Sequence, residues 1–347
     1  MKAVVYREFG GQINLEALAD PTPPPDGAVI QVEATGLCRS DWHGWRGHDP
    51  DIQQFPHVPG HEFAGTIVEV GRNVRQAHVG QRVTVPFVLG CGSCDECRLG
   101  NQHICDRQYQ PGFSGWGSFA EYVAVPHAEE NLVLLPDSTA SVAAAALGCR
   151  VATAYRAVTA QGRVQRGEWI AIHGCGGAGL SAVAIAVALG VRVIAVDIRP
   201  EPLELANRLG AAVPLNAREI NDVAAAIREI THGGADLSLD MLGSVATFSN
   251  SIRSLRKQGR HVQIGHLTDE DSIPATLIRR IIGWELSVTG SHGLQAHGYP
   301  ALLELIHAGK FDPMLLVDRV ASLNEAPGAL QSMDGYRGCG VTVFQPN

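Results

Sequence analysis

Glu168-Trp-Ile-Ala-Ile-His173, Gly174-Cys-Gly176-Gly177-Ala178-Gly179 and the run Leu180 to Leu189 form one continuous stretch that decides the fold. The first segment is apolar except at its ends, as in a strand buried on both faces. The second is a G-x-G-x-x-G loop, and the third has the Ala, Leu and Val content of a helix. A second apolar run, Val191 to Val196, follows and ends at Asp197, 23 residues after Gly174. A lone G-x-G-x-x-G says little. Set between a strand and a helix, and closed by an acid at that distance, it predicts a dinucleotide site. The glycines let the backbone approach a pyrophosphate, and the helix N-terminus offers unpaired N–H groups to it. Asp197 can accept hydrogen bonds from an adenosine ribose and repels a 2′-phosphate, which favours NAD over NADP; Arg199 pulls the other way. The expected cofactor contacts are therefore Gly174, Gly176, Gly177, Ala178, Gly179, Asp197, Ile198 and Arg199.

The same grammar continues outward. Helices are predicted over Pro202 to Leu209 and Ile220 to Thr231, and strands over Ala211 to Pro214, Asp236 to Asp240 and Arg260 to Gly265. This alternation predicts an α/β domain with a doubly wound parallel sheet. Gly265 and Ser291, near the ends of the later strands, join the cofactor set. His173, Asp240 and His266 also lie at strand ends; Asp240 and His266 are candidates for touching the cofactor, with solvated or capping roles the favoured expectation. Before residue 150 the pattern changes to short strands, Val4 to Tyr6, Ala28 to Glu33, Thr66 to Gly71 and Gly80 to Pro86, separated by turns such as Pro21 to Gly27. Many short strands of this kind predict a β-barrel-like domain. The expected division is 1–150, then 151–287 for the dinucleotide domain. Residues 288–347, with a helix over Tyr299 to Ala308 and a strand over Cys339 to Phe344, are expected to return to the first domain.

The length of 347 residues suits two domains. With 45% hydrophobic and 18% charged residues the chain reads as soluble and globular. A net charge of -8 excludes the basic footprint of a nucleic-acid surface. No apolar run reaches the ~18–20 residues of a membrane span. Met1 to Tyr6 reads as a first strand and not as a signal region, so a cytoplasmic location is expected. There thiols stay reduced, and clustered cysteines read as metal ligands.

Cys91, Cys94, Cys97 and Cys105 are spaced C-x2-C-x2-C-x7-C. Four thiolates fill a tetrahedral zinc and predict a structural lobe at about residues 90–106. An iron–sulfur cluster also takes four cysteines, and a pair of disulfides is the reading that a reducing compartment disfavours. Elsewhere, Gly36-Leu-Cys38-Arg39-Ser40-Asp41-Trp-His43 gathers a thiol, a hydroxyl, a carboxylate and an imidazole. Gly60-His61-Glu62 and Gly148-Cys149 add two more ligand types. Cys38, His61 and Cys149 make a two-Cys, one-His set with an open fourth position, as catalytic zinc requires. The competing reading is three unrelated residues, two of them packed thiols. Glu62 is a group behind the ligands, an occasional ligand, or an ordinary surface acid. His48 and His57 read as solvated loop histidines. Trp42, Trp45, Phe87 and Trp116 hint at an apolar pocket, although core packing accounts equally for Trp116.

Taken together, Gly36 to His43, Gly60 to Gly65, the four-Cys lobe, Leu147-Gly148-Cys149 and Gly174 to Gly179 resemble the zinc-dependent medium-chain alcohol dehydrogenase family, along the whole chain. The resemblance implies a GroES-like β-barrel catalytic domain and a Rossmann domain, with the active site in the cleft between them. It implies catalytic zinc on Cys38, His61 and Cys149, with Glu62 as an alternative ligand, and structural zinc on Cys91, Cys94, Cys97 and Cys105, two zinc ions per subunit. Ser40 and His43 would relay a proton from the alcohol to solvent by way of the cofactor ribose. Asp41 would orient His61, Arg39 would approach the cofactor phosphates, and Thr153 the nicotinamide. The implied reaction is reversible hydride transfer between a primary or secondary alcohol and NAD, in a homo-oligomer (dimer or tetramer) with no nucleic-acid or membrane partner. One departure is visible: Cys339 aligns where the family often carries a pyrophosphate-binding arginine, and Arg337 is the candidate substitute. The rivals are a zinc-independent reductase of activated C=C bonds, a non-catalytic zinc and nucleotide binder, and a polyol or amino-acid dehydrogenase of the same family.

Overall fold

The computed structural model describes residues 1–267, 273–335 and 339–346; Arg337 lies outside them. The chain divides into two structural units, one of Met1–Ala152, Gly293–Glu304 and Asp312–Asn347, the other of Thr153–His292 and Leu305–Phe311.

Among the described residues of the second unit, six strands form one parallel sheet: β8 (Trp169–His173), β9 (Arg192–Asp197), β10 (Val213–Asn216), β11 (Ala235–Asp240), β12 (Leu255–Gln263) and β13 (Ser287–Gly290). The spatial order is β10-β9-β8-β11-β12-β13. The chain thus winds outward in both directions from the β8–β11 pair, and the crevice at the carboxyl ends of that pair is where open α/β sheets bind ligands. Ile170, Ala171, Ile172 and Val193 to Val196 are buried, which accounts for their unbroken apolar run. The helix expected over Ile220 to Thr231 is shorter, Val223–Ile230, because the Asp222 carboxylate caps it by accepting the Ala225 N–H at 3.0 Å.

The strand-end residues His173 and Asp240 are buried and not solvated. Asp240 Oδ1 accepts the N–H groups of Leu242 and Gly243, each at 3.0 Å, and so shapes the turn after β11. His261, also buried, has Nδ1 at 3.1 Å from Ser238 Oγ and 3.0 Å from Ser251 Oγ, and Nε2 at 3.0 Å from Gln263 Oε1. Burial lowers the pKa of His173 to about 3 and that of His261 to about 4, so both rings stay neutral in the fold. Unfolded histidine takes up a proton near pH ~6.5, so the stability these rings contribute is present above that pH and lost as pH falls below it. Each ring is expected to cost about 2 kcal/mol by pH 5. Urea midpoints measured at pH 7.5 and pH 5 check this. His173→Leu should shrink the difference by its share, and a midpoint independent of pH would contradict the account.

In the first unit, β1 (Lys2–Tyr6) and β2 (Ile13–Ala17) form a hairpin. The main sheet contains β3 (Ala28–Leu37), β4 (Glu62–Val70), β5 (Arg82–Thr84), β6 (Tyr122–Val125), β7 (Val133–Leu134), β14 (Val317–Ser322) and β15 (Val341–Gln345). Its order is β14-β15-β3-β4-β5-β7, with β6 also on β3. Both β3 and β4 extend further than the sequence predicts. Strand β3 runs on to Leu37 and β4 begins at Glu62, paired antiparallel with Gly36 opposite Glu62. This register brings Cys38 and His61 to the same end of the sheet. Trp45 is buried in the core with Tyr6, Phe119 and Phe344, and Trp42 packs against that cluster. Trp116 packs on Val5 and Val58 and donates its Nε1–H to the Pro56 carbonyl at 2.9 Å. The three tryptophans are therefore framework residues. His57 is buried as well and pairs through Nε2 with the Gly112 carbonyl at 2.8 Å. Among the described residues no helix is long and apolar enough to cross a membrane.

Candidate active site

Cys38 stands at the N-terminus of the helix Arg39–Trp45, directly after β3. One buried carboxylate ties it to the next ligand segment. Asp41 Oδ2 accepts the Cys38 N–H at 2.9 Å, while Oδ1 accepts the Gly60 N–H at 3.1 Å and faces His61 Nδ1 at 2.8 Å. Asp41 thus fixes a proton of His61 on Nδ1 and leaves Nε2 as the atom a metal would take in exchange for a proton. Nε2 is buried and, among the described residues, has no hydrogen-bond partner. Cys149 comes from a π-helical turn, Leu147–Val151, set into a helical run. The Gly148 carbonyl there accepts the Phe87 N–H at 3.2 Å and the Tyr299 hydroxyl at 3.3 Å. Ligand atoms of Cys38, His61, Glu62 and Cys149 all lie within 4.8 Å of one another.

The electrostatics suit a cation. The hydrogen bond with Cys149 holds the Cys38 thiol well below its ordinary pKa, aided by Arg150 and His61. The same bond pushes Cys149 well above the ordinary thiol range. Burial disfavours a charged His61, yet Asp41 and Cys38 outweigh it and raise its pKa. Two thiols and the unpartnered buried Nε2 of one imidazole fit zinc, whose ligands are deprotonated when it binds.

Glu62 is fully buried and is not a surface acid. Arg150 grips it with both arms, Nε to Oε1 at 3.0 Å and Nη2 to Oε2 at 2.7 Å. Burial raises the Glu62 carboxyl to about 7, against the pull of Arg150. Its Oε1 stands 4.0 Å from His61 Nε2. Ser40 Oγ is 3.7 Å from Cys38 Sγ. His43 Nδ1 is 3.0 Å from His48 Nδ1, so His48 is not the isolated loop histidine that the sequence suggests. The Arg39 guanidinium lies 3.6 Å over the Trp42 ring and donates to the Met333 carbonyl. Of the four aromatic pocket candidates only Phe87 lies near His61, with ring centroids 6.3 Å apart. Phe113, which the sequence did not single out, is closer at 5.2 Å. It sits in a glycine-rich loop with no periodicity to mark it.

The four sulfurs of Cys91, Cys94, Cys97 and Cys105 also lie within 4.8 Å of one another and form no disulfide. Backbone N–H groups point at them, from Cys94 to Cys91 Sγ and from Cys97 to Cys94 Sγ, each at 3.4 Å. Arg107 donates to Cys91 Sγ at 3.2 Å. Although burial acts against it, Cys91 is lowered to about 5 by the donors Ser93 and Arg107. Burial raises Cys97 and Cys105 instead, so holding all four as thiolates takes a cation at the centre of the lobe.

In the second unit, Gly176 precedes the helix Gly177–Ala188. A Cβ on Gly179 would fall 1.9 Å from the Gly174 carbonyl, so the helix packs too tightly for any side chain there. A Cβ on Gly176 would meet nothing within 4 Å. Packing within the chain does not demand glycine at that position, but close approach of a pyrophosphate does. Asp197 Oδ2 accepts the Cys175 N–H at 2.8 Å, and Oδ1 accepts those of Ile198 and Arg199 at 2.8 and 3.0 Å. The Gly265 N–H bonds the Asp240 carbonyl at 3.0 Å, and Ser291 Oγ is buried with no hydrogen-bond partner among the described residues. Thr153 is nearly buried, in the helix Ala152–Arg156.

Residues 24–137 match the family model of the alcohol dehydrogenase GroES-like domain, and residues 177–308 that of zinc-binding dehydrogenases. An alcohol dehydrogenase of Geobacillus stearothermophilus is 36% identical over 79% of this chain and 80% of its own length. An NAD-dependent alcohol dehydrogenase of Sulfurisphaera tokodaii is 34% identical over the full length of both. Among solved structures, alcohol dehydrogenase TADH from Thermus sp. ATN1 superposes with a TM-score of 0.90 at 30% identity over 99% of each chain. 2R,3R-butanediol dehydrogenase from Bacillus subtilis gives 0.88 at 28% identity over 100% of this chain and 99% of its own. With its GroES-like unit and parallel nucleotide-type sheet, the chain is an oxidoreductase. It belongs to the zinc-dependent medium-chain alcohol dehydrogenase family.

Proposed function

We propose that the chain is a zinc-dependent alcohol dehydrogenase that moves a hydride reversibly between a primary or secondary alcohol, or the matching aldehyde or ketone, and NAD. The observation that carries this is the convergence of Cys38, His61 and Cys149 on one point, with an unpartnered His61 Nε2. A zinc ion held there supplies a Lewis acid with one open position for the substrate oxygen, and NAD supplies the hydride acceptor. Asp41 keeps the proton of His61 on Nδ1, so Nε2 stays available as a ligand. Phe87 and Phe113 exclude water beside that ring and favour apolar substrates over polyols. Ser40 Oγ takes the proton of the substrate hydroxyl, and His43 hands it on toward solvent. Gly174, Gly176 and Gly177 to Gly179 cradle the pyrophosphate at the helix N-terminus, while Arg39, Thr153, Gly265 and Ser291 complete the cofactor contacts. Asp197 favours NAD over NADP.

Cys91, Cys94, Cys97 and Cys105 hold a second, structural zinc, giving two ions per subunit. A polyol or amino-acid dehydrogenase with Glu62 as a ligand is the weaker reading, because Arg150 occupies both Glu62 oxygens. Exposed Val288 on β13, with Ile278 and Ile282 on the preceding helix, supports assembly as a dimer or tetramer. A cytoplasmic location suits the clustered free thiols, which a reducing compartment keeps available as metal ligands.

A panel of alcohols and carbonyls assayed with NAD and NADP, alongside zinc analysis, tests the proposal. Turnover of an apolar alcohol is expected, with kcat/KM for NAD at least about tenfold above NADP, a difference of ~1.4 kcal/mol. No turnover in protein carrying two zinc ions per chain would refute the activity, and a preference for NADP would refute the cofactor assignment.

A further inference from the structure

After the helix Arg39–Trp45 the chain turns back on itself, and the His48 N–H donates to the His43 carbonyl at 3.0 Å. This turn lays one imidazole against the other, with Nδ1 atoms 3.0 Å apart and ring centroids 5.3 Å apart. Trp42 stands edge-on to both rings, at 4.9 Å from His43 and 5.6 Å from His48. At that N···N distance one Nδ1 carries the hydrogen and the other accepts it. Thus His48 covers the Nδ1 side of His43, while its own ring is exposed.

We infer that His48 is a second imidazole in the proton relay, taking the proton from His43 and releasing it to bulk water. The inference rests on the Ser40–His43 reading above. A proton arriving at His43 Nε2 makes that ring an imidazolium. The Nδ1 proton of His43 then passes to His48 Nδ1, and His48 gives up its Nε2 proton to water or a buffer base. One proton enters, one leaves, no electron moves, and the Nδ1–H···Nδ1 bond reverses its direction. Both rings are exposed, so exchange with solvent restores the starting tautomers between turnovers.

Charged side chains stand close to the pair. Arg39 and Arg46 lie over Trp42 at 3.6 and 5.7 Å. Asp334 pairs with Arg46 and accepts the Trp42 Nε1–H at 2.7 Å, while Asp49, next to His48, accepts the Asp51 N–H at 2.9 Å. Asp334 and Asp49 thus already serve other donors.

The test uses zinc-loaded enzyme with NAD and an alcohol, and follows the burst of proton release in a single turnover with an indicator dye. In His48→Asn, which can still hydrogen-bond His43 but cannot carry a proton, the burst is expected to slow about fivefold at pH 6. The deficit should vanish at pH 9, where hydroxide accepts the proton, and added imidazole should restore the rate at pH 6. A second readout needs no turnover. In protein with 15N-labelled histidine and no cofactor, a scalar coupling between the two Nδ1 atoms should be present in the wild type and absent in His48→Asn. A His48→Asn burst that superimposes on the wild type at every pH overturns the role of His48. If His43→Asn slows the burst while His48→Asn does not, the relay stands and only its extension falls. If neither variant slows it, the relay reading itself fails.

Discussion

Cys38→Ala is expected to leave each chain with one zinc ion in place of two, and to lower kcat/KM for alcohol oxidation at least ~1000-fold, on the order of 4 kcal/mol of transition-state stabilisation. Cys38 is the centre of the donor set. Its thiol is held below the ordinary range by Cys149, and it in turn raises His61. Alanine removes one of the three donors and leaves one histidine and one thiol, a pair too weak to hold the ion against water. The fold should survive. The backbone N–H at position 38 still bonds Asp41, and the buried volume lost is one sulfur. Zinc content by mass spectrometry, far-UV circular dichroism and turnover distinguish the outcomes. Folded protein with one zinc and no turnover is the expected result. Wild-type turnover with one zinc lost would remove Cys38 from the reaction.

The parts of this site that the sequence revealed are those whose chemistry is local. Four cysteines within fifteen positions, a glycine loop between a strand and a helix, and Cys38 next to Ser40 and His43 are all legible because neighbours in the chain share one structural element. What the sequence hid depends on the return of distant segments. Arg150 looks like any polar residue after Cys149, yet its partner is Glu62, 88 positions earlier. Nothing in either neighbourhood marks the pair, because its cause is the β3–β4 register and the π-helical turn at Leu147–Val151. His48 is hidden for a different reason. Its meeting with His43 depends on the turn after Trp45, which a Gly-rich segment permits but does not announce. The tryptophans mislead in the opposite direction. Aromatic residues beside a catalytic motif suggest a pocket, but Trp42 and Trp45 alternate onto the inner face of a helix that must itself be anchored to the core.

The buried pair has a testable consequence of its own. Arg150→Met is expected to destabilise the first unit by about 3–5 kcal/mol, the usual cost of removing one partner from a buried ion pair. Glu62 is fully buried and Arg150 nearly so, so neither can turn to water when the other is lost. Room to move is also lacking: a Cβ on Gly36 would fall 2.9 Å from Glu62 Oε2 and 3.4 Å from Arg150 Nη2, which shows how closely the pair is pressed onto β3. The carboxyl must then take up a proton or lean on the metal-ligand cluster for its counter-charge. Removing both charges should cost far less, so Glu62→Leu combined with Arg150→Met is expected to recover most of the loss. In the single variant the released carboxylate, 4.0 Å from His61 Nε2, competes for the position that substrate oxygen needs. Turnover should therefore drop while zinc content stays at the wild-type level, the reverse of the Cys38→Ala pattern. Urea midpoints for the two single variants and the double variant, with zinc analysis of each, decide the matter. A loss below ~1 kcal/mol in Arg150→Met would place the pair among the salt bridges that contribute little to stability.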